Sequence, residues 1–217
     1  MLREDIINTW LAAAKRPPLT EGQATLFSLY QNHLLEACKY MNLTAITDET
    51  EIAIKHFIDS LTILPWIYPG ADVLDLGTGA GFPGIPIKIM EPGIGLALLD
   101  GTLKRVKFLQ EIVDLLGFTN VSCIHARAEE LLHTQKHPKY YDICTARAVA
   151  KLGDLARYGL PLLKKGGLLL AMKGPDIEME ITEALPIFKK LRGVVEEVKK
   201  FVIPGGIGRS VVVVKRK

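Results

Sequence analysis

A glycine-rich stretch at residues 75–86, DLGTGAGFPGIP, holds the residue types and spacing best suited to binding a ligand. Glycine has no Cβ, so a backbone built from it can lie directly against a bound group. Gly79, Gly81 and Gly84 match the G-x-G-x-x-G fingerprint of dinucleotide sites, and Asp100 follows at about the 20-residue distance of a ribose-binding acid. On its own this fingerprint is a weak signal. The strands and helices predicted around it are needed to infer which ligand it binds.

The same stretch also fits the form found in S-adenosylmethionine sites, an acid (Asp75) followed by alternating glycines (Gly77, Gly79, Gly81). The apolar run VLDL before it predicts a strand ending at Leu76. We expect a helix to begin near Gly84, with Pro86 in its first turn, where the missing N–H costs little. The stretch is therefore a strand-to-helix turn that can hold either cofactor.

Short apolar runs alternate with helical patterns through the rest of the chain: VLDL, GLALLD, VSCI, YDICTA and LLLAM. Such runs are typical of a parallel sheet covered by helices on both faces. Three glycines fall where helices are expected to end, namely Gly117, Gly166 and Gly193. The pattern predicts an α/β, doubly wound domain.

The last two apolar runs, VVEEVKKFVI and SVVVVKRK, are separated only by PGGIGR. A parallel crossover needs about a dozen residues or more, so this pair must be antiparallel. S-adenosylmethionine-dependent methyltransferases close their sheet with such a hairpin, whereas nicotinamide-binding domains keep the last strand parallel. The hairpin therefore predicts a Rossmann-like class I methyltransferase with a seven-stranded, mostly parallel sheet.

The first part of the chain has helical rather than strand periodicity. Two amphipathic helices are predicted, the second opened by Thr20 and Gln23 as a capping box. A third is expected to start near Asp48 and to end before Pro65. We expect residues 1–66 to form a helical extension packed on a methyltransferase domain at residues 67–217.

Composition limits the class of protein. The chain has 217 residues, of which 48% are hydrophobic and 24% charged, enough for a full α/β core. No apolar run approaches the roughly 18 residues of a membrane span, and the start lacks a signal-peptide pattern, so we expect a cytoplasmic protein with no membrane partner.

Cys38, Cys123 and Cys144 lack metal-ligand spacing, which predicts reduced thiols and no metal site. Residues 189–217 hold nine Lys and Arg against two acids, which fits either a solvated surface or a polyanion site.

Acidic residues at the ends of the next two strands are candidate cofactor ligands. Asp100 can accept hydrogen bonds from both hydroxyls of a ribose. It can also serve as the N-cap of the following helix, and the two roles are compatible. Further on, HARAEE places the Ala128 amide and the Glu129 carboxylate where they could read an adenine edge. Glu129 could equally stabilise its own helix dipole.

The sequence resembles the RsmG family of bacterial small-subunit ribosomal RNA methyltransferases, also called glucose-inhibited division protein B. The resemblance covers most of the chain and rests on MNLTAI, KHFIDSL, DLGTGAGFPGIP, LLDGTLKRVKFL, ARAEE, TARAVA, AMKG and the late Arg209. Gly101, directly after Asp100, departs from the family, which more often has serine there. The resemblance implies a methyltransferase that forms 7-methylguanosine in the 530 loop of 16S rRNA, with the small ribosomal subunit or its assembly intermediate as partner. It also implies S-adenosylmethionine contacts at Gly77, Phe82, Ala128, Glu129 and Arg147, which join Gly79 and Asp100 in the predicted cofactor site.

No general acid or base is expected in the reaction. Methyltransferases that act on amines carry an Asn/Asp-Pro-Pro-aromatic stretch, which is absent after the fourth strand, and Cys144 lies in an apolar strand rather than beside proline. Guanine N7 already offers a free lone pair, so positioning is sufficient. We expect this positioning from basic residues at the carboxyl edge of the sheet, with a surface ion pair as the alternative for each: Arg127, Arg147, Lys173 and Arg209.

Some alternatives stay open at this point. His56 and Asp59 lie one turn apart and either close the pocket from the helical extension or form a packed histidine with a capping carboxylate. An NAD(P)-dependent oxidoreductase and a non-catalytic RNA-binding module are the alternative functions. We expect a monomer.

Overall fold

A single sheet forms the centre of the structure, a computed structural model that describes residues 1–131, 141–147 and 150–217. Its strands are β1 (Asp72–Leu76), β2 (Gly95–Asp100), β3 (Val121–His125), β4 (Tyr141–Arg147), β5 (Leu163–Lys173), β6 (Gly193–Ile203) and β7 (Ile207–Arg216). The spatial order is β3-β2-β1-β4-β5-β7-β6. The pairs among β1 to β5 are parallel, whereas β7 is antiparallel to both β5 and β6. The predicted sheet with its antiparallel C-terminal hairpin is confirmed.

Helices cover both faces of this sheet. In the core they are α5 (Gly84–Met90), α6 (Leu103–Leu115), α7 (Ala128–Leu131), α8 (Leu152–Gly159) and α9 (Glu178–Lys190). Successive residues of β1 join opposite clusters, Val73 packing with α5 and α6 and Leu74 with α8 and α9. The doubly wound arrangement is confirmed, and α5 begins at Gly84 as predicted.

The N-terminal part is helical and packs on one of these faces. It contains α1 (Glu4–Ala13), α2 (Glu21–Cys38) and a third helical segment made of α3 (Glu49–Glu51), a π-helix (Ile52–Ile58) and α4 (Asp59–Leu61). Thr20 and Gln23 form the predicted capping box at the start of α2. The Asp48 carboxylate accepts from the Glu51 amide and begins the third segment. None of the helices in the described part of the chain combines the length and apolarity needed to cross a bilayer.

Aromatic residues of the N-terminal helices reach the glycine-rich turn. The Tyr30 ring lies 5.8 Å from that of Phe57 and 5.4 Å from that of Phe82, centroid to centroid. The buried Tyr30 hydroxyl donates to the Ala80 carbonyl over 2.5 Å. The helical part therefore shares one core with the sheet, and Tyr30 supports the glycine-rich turn through its contacts with Ala80 and Phe82.

Two of the three predicted helix ends are wrong. Gly117 does end α6, with φ of +64°. Gly166 instead lies inside β5, because the helical pattern stops at a 3-10 turn over Leu160–Leu162 and the strand follows at once. Gly193 is the first residue of β6, and Arg192 takes the left-handed conformation after α9.

Gln31, on the buried side of α2, supplies a stability prediction. Its side-chain nitrogen and oxygen are both buried and have no hydrogen-bond partner within the described residues. Burying an unpaired amide costs about 1–3 kcal/mol, so we expect Gln31→Met to raise the free energy of unfolding by about 1 kcal/mol. In a thermal melt this corresponds to about 2–4 °C.

The control for this melt is Gln110→Met on α6, which removes an exposed amide bonded to Asp114 over 2.9 Å. We expect it to leave the melting temperature nearly unchanged. A lower melting temperature for Gln31→Met than for the wild type would contradict this prediction.

Candidate active site

The glycine-rich turn exposes its backbone at one point and packs it at another. Gly77, Gly79 and Gly81 all have left-handed φ, at +64°, +62° and +106°. A Cβ added to Gly79 would meet no atom within 4 Å, so this residue faces open space. One added to Gly81 would lie 2.7 Å from Ile85 Cγ1 and 2.8 Å from the Tyr30 hydroxyl oxygen. Gly79 therefore leaves room for a ligand, and Gly81 lets the turn close on the core.

Asp75 fixes this turn rather than facing a ligand. Its fully buried carboxylate accepts from the Gly84 amide (2.8 Å), the Thr78 hydroxyl (2.6 Å) and the Thr145 hydroxyl (3.1 Å). Burial raises the pKa of Asp75 to about 6, and the hydrogen bonds oppose that rise. The acid of the motif thus ties the start of α5 back to the end of β1.

Most of the predicted cofactor residues line one cavity of about 530 Å³ along the carboxyl ends of β1, β2 and β3. These residues are Gly77, Asp100, Ala128, Glu129 and Arg147. Arg105, Arg127 and Tyr158 complete its polar wall. The two remaining predicted cofactor residues, Gly79 and Phe82, line a second cavity next to it.

Asp100 connects the wall of this first cavity to the glycine-rich turn. Its buried carboxylate accepts from the Gly79 amide over 3.0 Å and from the Thr102 amide over 2.8 Å. Thr102, not Asp100, is the N-cap of α6, so the N-cap interpretation of Asp100 is wrong. The Arg105 guanidinium also lies 3.6 Å from Asp100 Oδ2. A carboxylate offers about four lone-pair sites, so the two amide bonds leave acceptor capacity for a ligand.

Glu129 lies on the wall of the same cavity. Its own backbone N–H, and then the Tyr158 hydroxyl, lower the pKa of its carboxyl. The neighbouring Glu130 accepts from the Arg127 amide over 3.0 Å and so supports the start of α7. The first turn of α7 thus holds two acids, Glu130 bonded to the Arg127 amide and Glu129 at the cavity surface beside Tyr158. The helix-dipole role and the place on the cavity wall are compatible for Glu129.

The second cavity, of about 470 Å³, lies between the helical extension and the sheet edge. It is lined by residues of both parts, including Thr44, His56, Asp59, Gly79, Phe82, Arg147, Lys173, Phe201 and Arg209. Gly77 and Arg147 line both cavities, so the two spaces adjoin at these residues. Of the four predicted basic residues, Arg147, Lys173 and Arg209 meet here, whereas Arg127 lines the first cavity.

Arg147, at the end of β4, is held by the helical extension. Its Nη1 donates to the Lys55 carbonyl over 2.9 Å and to Asp59 Oδ2 over 3.1 Å. Its Nη2 lies 3.4 Å from His56 Nδ1, and its guanidinium carbon is 4.9 Å from the centre of the Phe82 ring. Residues 148–149 of the TARAVA motif lie outside the described residues.

The two other basic residues of this cavity also have acidic partners. Arg209 donates through Nε to Asp59 Oδ1 over 2.9 Å. Lys173 donates to Glu180 Oε1 over 2.7 Å and to the Ala150 carbonyl over 2.6 Å. Each keeps further donors, so an ion pair and a ligand contact can coexist at these side chains.

His56 is a neutral member of this group. Its ring stacks on Phe82 with centroids 4.4 Å apart, and its Nε2 lies 2.8 Å from the Thr44 hydroxyl oxygen. Burial, and then the charge of Arg147, lower the pKa of His56 to about 3. A guanidinium can only donate, so Nδ1 is the acceptor and the ring proton resides on Nε2. His56 thus lines the cavity and also packs against Phe82. The two interpretations of this residue, as a wall of the pocket and as a packed histidine, are compatible.

The shifted pKa of His56 predicts how stability depends on pH. Its pKa is about 3 in the folded protein against 6.5 in the reference state, so the unfolded chain takes up a proton that the folded chain does not. The free energy of unfolding is therefore lost as the pH falls below about 6.5. Between pH 7.5 and pH 5 this single group lowers it by about 2 kcal/mol.

Urea unfolding of the wild type and of His56→Asn at both pH values measures this loss. We expect the wild type to lose about 2 kcal/mol more than the variant. The raised pKa of Asp75 acts in the opposite direction between pH 3.8 and about 6, but it is present in both proteins and cancels. Equal losses in the two proteins would show that His56 titrates normally.

Two residues of the site are not predicted by the sequence pattern. Thr44, which orients His56, lies in the MNLTAI motif, so the resemblance marks its position without giving a role. Tyr158, which bonds Glu129, has no local signal, because its place depends on α8 packing beside α7.

Solved structures share this architecture. The tRNA methyltransferase TrmK of B. subtilis matches with a TM-score of 0.58 at 16% identity, over 73% of this chain and 65% of that one. TYW2 of M. jannaschii, solved in complex with AdoMet, matches with a TM-score of 0.58 at 18% identity, over 73% and 74% of the two chains. At these identities the likeness shows the fold alone. The chain has the fold of the class I methyltransferases, as predicted.

The amino-acid sequence defines the family within that class. The family model described as rRNA small subunit methyltransferase G matches residues 23–207. A protein of Desulforamulus reducens with the name ribosomal RNA small subunit methyltransferase G is 46% identical over 217 residues, covering 98% of this chain and 90% of that protein. One of the same name in Acetivibrio thermocellus is 44% identical over 200 residues, covering 91% and 82%. The chain belongs to the rRNA small subunit methyltransferase G family, which confirms the resemblance.

Proposed function

We propose that this protein transfers a methyl group from S-adenosylmethionine to N7 of a guanine in 16S rRNA. The observation that carries the proposal is the pair of adjoining cavities in a chain of this family. One cavity presents a buried acid and a glycine backbone, and the other presents aromatic and basic side chains. The two adjoin at Gly77 and Arg147, so a cofactor and a target base bound in them would be neighbours.

The residues of the first cavity fit the cofactor. Asp100 keeps free lone pairs on its carboxylate, and Gly79, whose amide donates to Asp100, faces open space where it lines the adjoining second cavity. These acceptors suit the ribose hydroxyls, while Ala128 and Glu129 suit the adenine edge. When bound, S-adenosylmethionine supplies a methyl group activated by a sulfonium. Phe82 and Arg147 form the wall on the side of the second cavity.

The second cavity fits a base that needs no proton transfer. Guanine N7 is a nucleophile without deprotonation, so the protein has to align it rather than activate it. His56 is neutral, and both of its ring nitrogens are already hydrogen-bonded. It is therefore a wall of the cavity and not a general base.

The basic residues support binding of RNA around that base. Arginine pairs bidentately with phosphate and stacks on splayed bases. Arg209, Lys173 and Arg147 surround the base cavity, and Arg127 lies in the cofactor cavity. We propose that residues 1–66 form part of the RNA-facing wall on the domain at residues 67–217, since Thr44, His56 and Asp59 of that extension line the cavity.

The proposal also includes the location, the oligomeric state and the substrate particle. We propose a cytoplasmic monomer that acts on the small ribosomal subunit or an assembly intermediate, without a metal. Within the described residues, no group of three or more His, Cys, Asp or Glu is placed to hold a metal ion.

Calorimetric titration with S-adenosylmethionine and, separately, with NADH tests the cofactor. We expect heat from the first titration and none from the second. Binding of NADH alone would support an oxidoreductase and reject the proposal. Binding of neither, together with salt-sensitive RNA binding, would support the non-catalytic RNA-binding module.

A further inference from the structure

One carboxylate, that of Asp59, holds two arginines of the base cavity at once. Its side chain is 6% exposed, and its two oxygens are divided between the two partners. Oδ2 accepts from Arg147 Nη1 over 3.1 Å, and Oδ1 accepts from Arg209 Nε over 2.9 Å. Arg147 comes from the end of β4 and Arg209 from β7, while Asp59 begins α4. The carboxylate therefore joins the helical extension to two separate strands at the wall of the cavity.

The charges around Asp59 do not balance. Lys55 pairs outward with Glu51, Lys173 pairs with Glu180, and His56 is neutral. Two guanidinium groups thus share one carboxylate and leave one net positive charge at the cavity. Arg209 is the more exposed of the two, at 27% against 15% for Arg147, so it is the more accessible to an RNA phosphate.

We propose that Asp59 is a positioning residue for methyl transfer, acting through Arg147 and Arg209. It fixes two guanidinium groups that line the cavity, and it does not itself touch the reacting atoms. This inference rests on the proposed function, because it assigns the orientation of the target base to the arginines that Asp59 holds.

Asp59→Asn separates this role from simple electrostatic attraction of RNA. The variant keeps both arginines and removes one negative charge, so affinity for RNA should stay equal or increase. The guanidinium groups lose their common anchor, so the single-turnover rate of methyl transfer should fall at least about tenfold, since small misplacements of positioning groups are costly. A loss of rate with no loss of RNA affinity is the expected signature.

The measurements are single-turnover transfer of labelled methyl to small subunits, RNA binding as a function of salt, and calorimetric binding of S-adenosylmethionine. The matched control is Glu196→Gln, which removes an ion pair with Lys215 (2.9 Å) on the β6–β7 hairpin that also carries Arg209. Glu196 lines neither cavity. It should behave as the wild type in all three measurements. If Asp59→Asn does not fold, Asp59→Glu takes its place, because it keeps the charge but displaces the carboxylate, and the same loss of rate is expected.

A double variant tests whether Asp59 acts through its partner. Because both groups belong to one unit, Asp59→Asn with Arg209→Gln should lower the rate no further than the larger single effect. Additive losses would overturn the proposal. A rate for Asp59→Asn within twofold of the wild type would also overturn it. Equal losses of rate, RNA affinity and cofactor affinity in this variant would show a merely structural role and would overturn it too. If the wild type itself transfers no methyl group, the proposed function fails, and this inference with it; an active wild type with an unaffected Asp59→Asn variant rejects the inference alone.

Discussion

Replacing Arg147 with glutamine is expected to lower the rate of methyl transfer by about 100-fold or more. The guanidinium lies at the junction of the two cavities, and its contacts go to Lys55, Asp59, His56 and the face of Phe82. Glutamine cannot present the same planar fork to these groups. Both the orientation of the cavity wall and its attachment to the helical extension would be lost.

The same substitution should reduce stability. Asp59 would keep only Arg209 as a charged partner, and hydrogen bonds to charged groups are each worth about 1.5–3 kcal/mol, so we expect a loss of about 2 kcal/mol. Single-turnover kinetics and urea unfolding measure the two effects. The control is Arg157→Gln, which breaks an exposed ion pair with Asp154 (2.6 Å) and should change neither. Unchanged transfer by Arg147→Gln would remove this residue from the site.

Gly79→Ala is expected to weaken binding of S-adenosylmethionine by about 100-fold. The new methyl group would project into the open space beside the turn, and overpacking a contact costs up to about 3 kcal/mol. The amide of residue 79 stays in place, so its hydrogen bond to Asp100 is retained. The effect should therefore come from lost space for the cofactor.

Gly117→Ala is a matched control for this variant. Gly117 has φ of +64° against +62° for Gly79, and a Cβ at either residue would meet no atom within 4 Å. Both variants carry the same strain of a left-handed alanine, about 1 kcal/mol, and should unfold at similar urea concentrations. Only Gly79→Ala should lose cofactor affinity in calorimetry. Equal affinities would place the cofactor away from this turn.

The parts of the fold that depend on short-range sequence were predictable. The capping box of Thr20 and Gln23 is complete within one turn, and the hairpin follows from the short PGGIGR link. The candidate cofactor residues could be grouped because the carboxyl ends of parallel strands meet at one edge of the sheet. Topology alone brings Asp100, Ala128 and Glu129 together.

The polar network of the base cavity could not be predicted in the same way. Asp59 is 88 residues from Arg147 and 150 from Arg209 in the sequence, and no local pattern links them. The π-helix that contains Lys55 and His56 has no local signal either. The positions of glycines were also insufficient to predict where helices end, since Gly166 lies within β5 and Gly193 begins β6. These features depend on how the helical extension docks on the sheet.

Transfer of labelled methyl from S-adenosylmethionine to small ribosomal subunits that lack this modification tests the central claim most directly. After digestion of the RNA to nucleosides, we expect the label in 7-methylguanosine from 16S rRNA with the wild type, and a strongly reduced amount with Arg147→Gln. Label in another nucleoside, or no transfer by a protein that binds S-adenosylmethionine, would contradict the account.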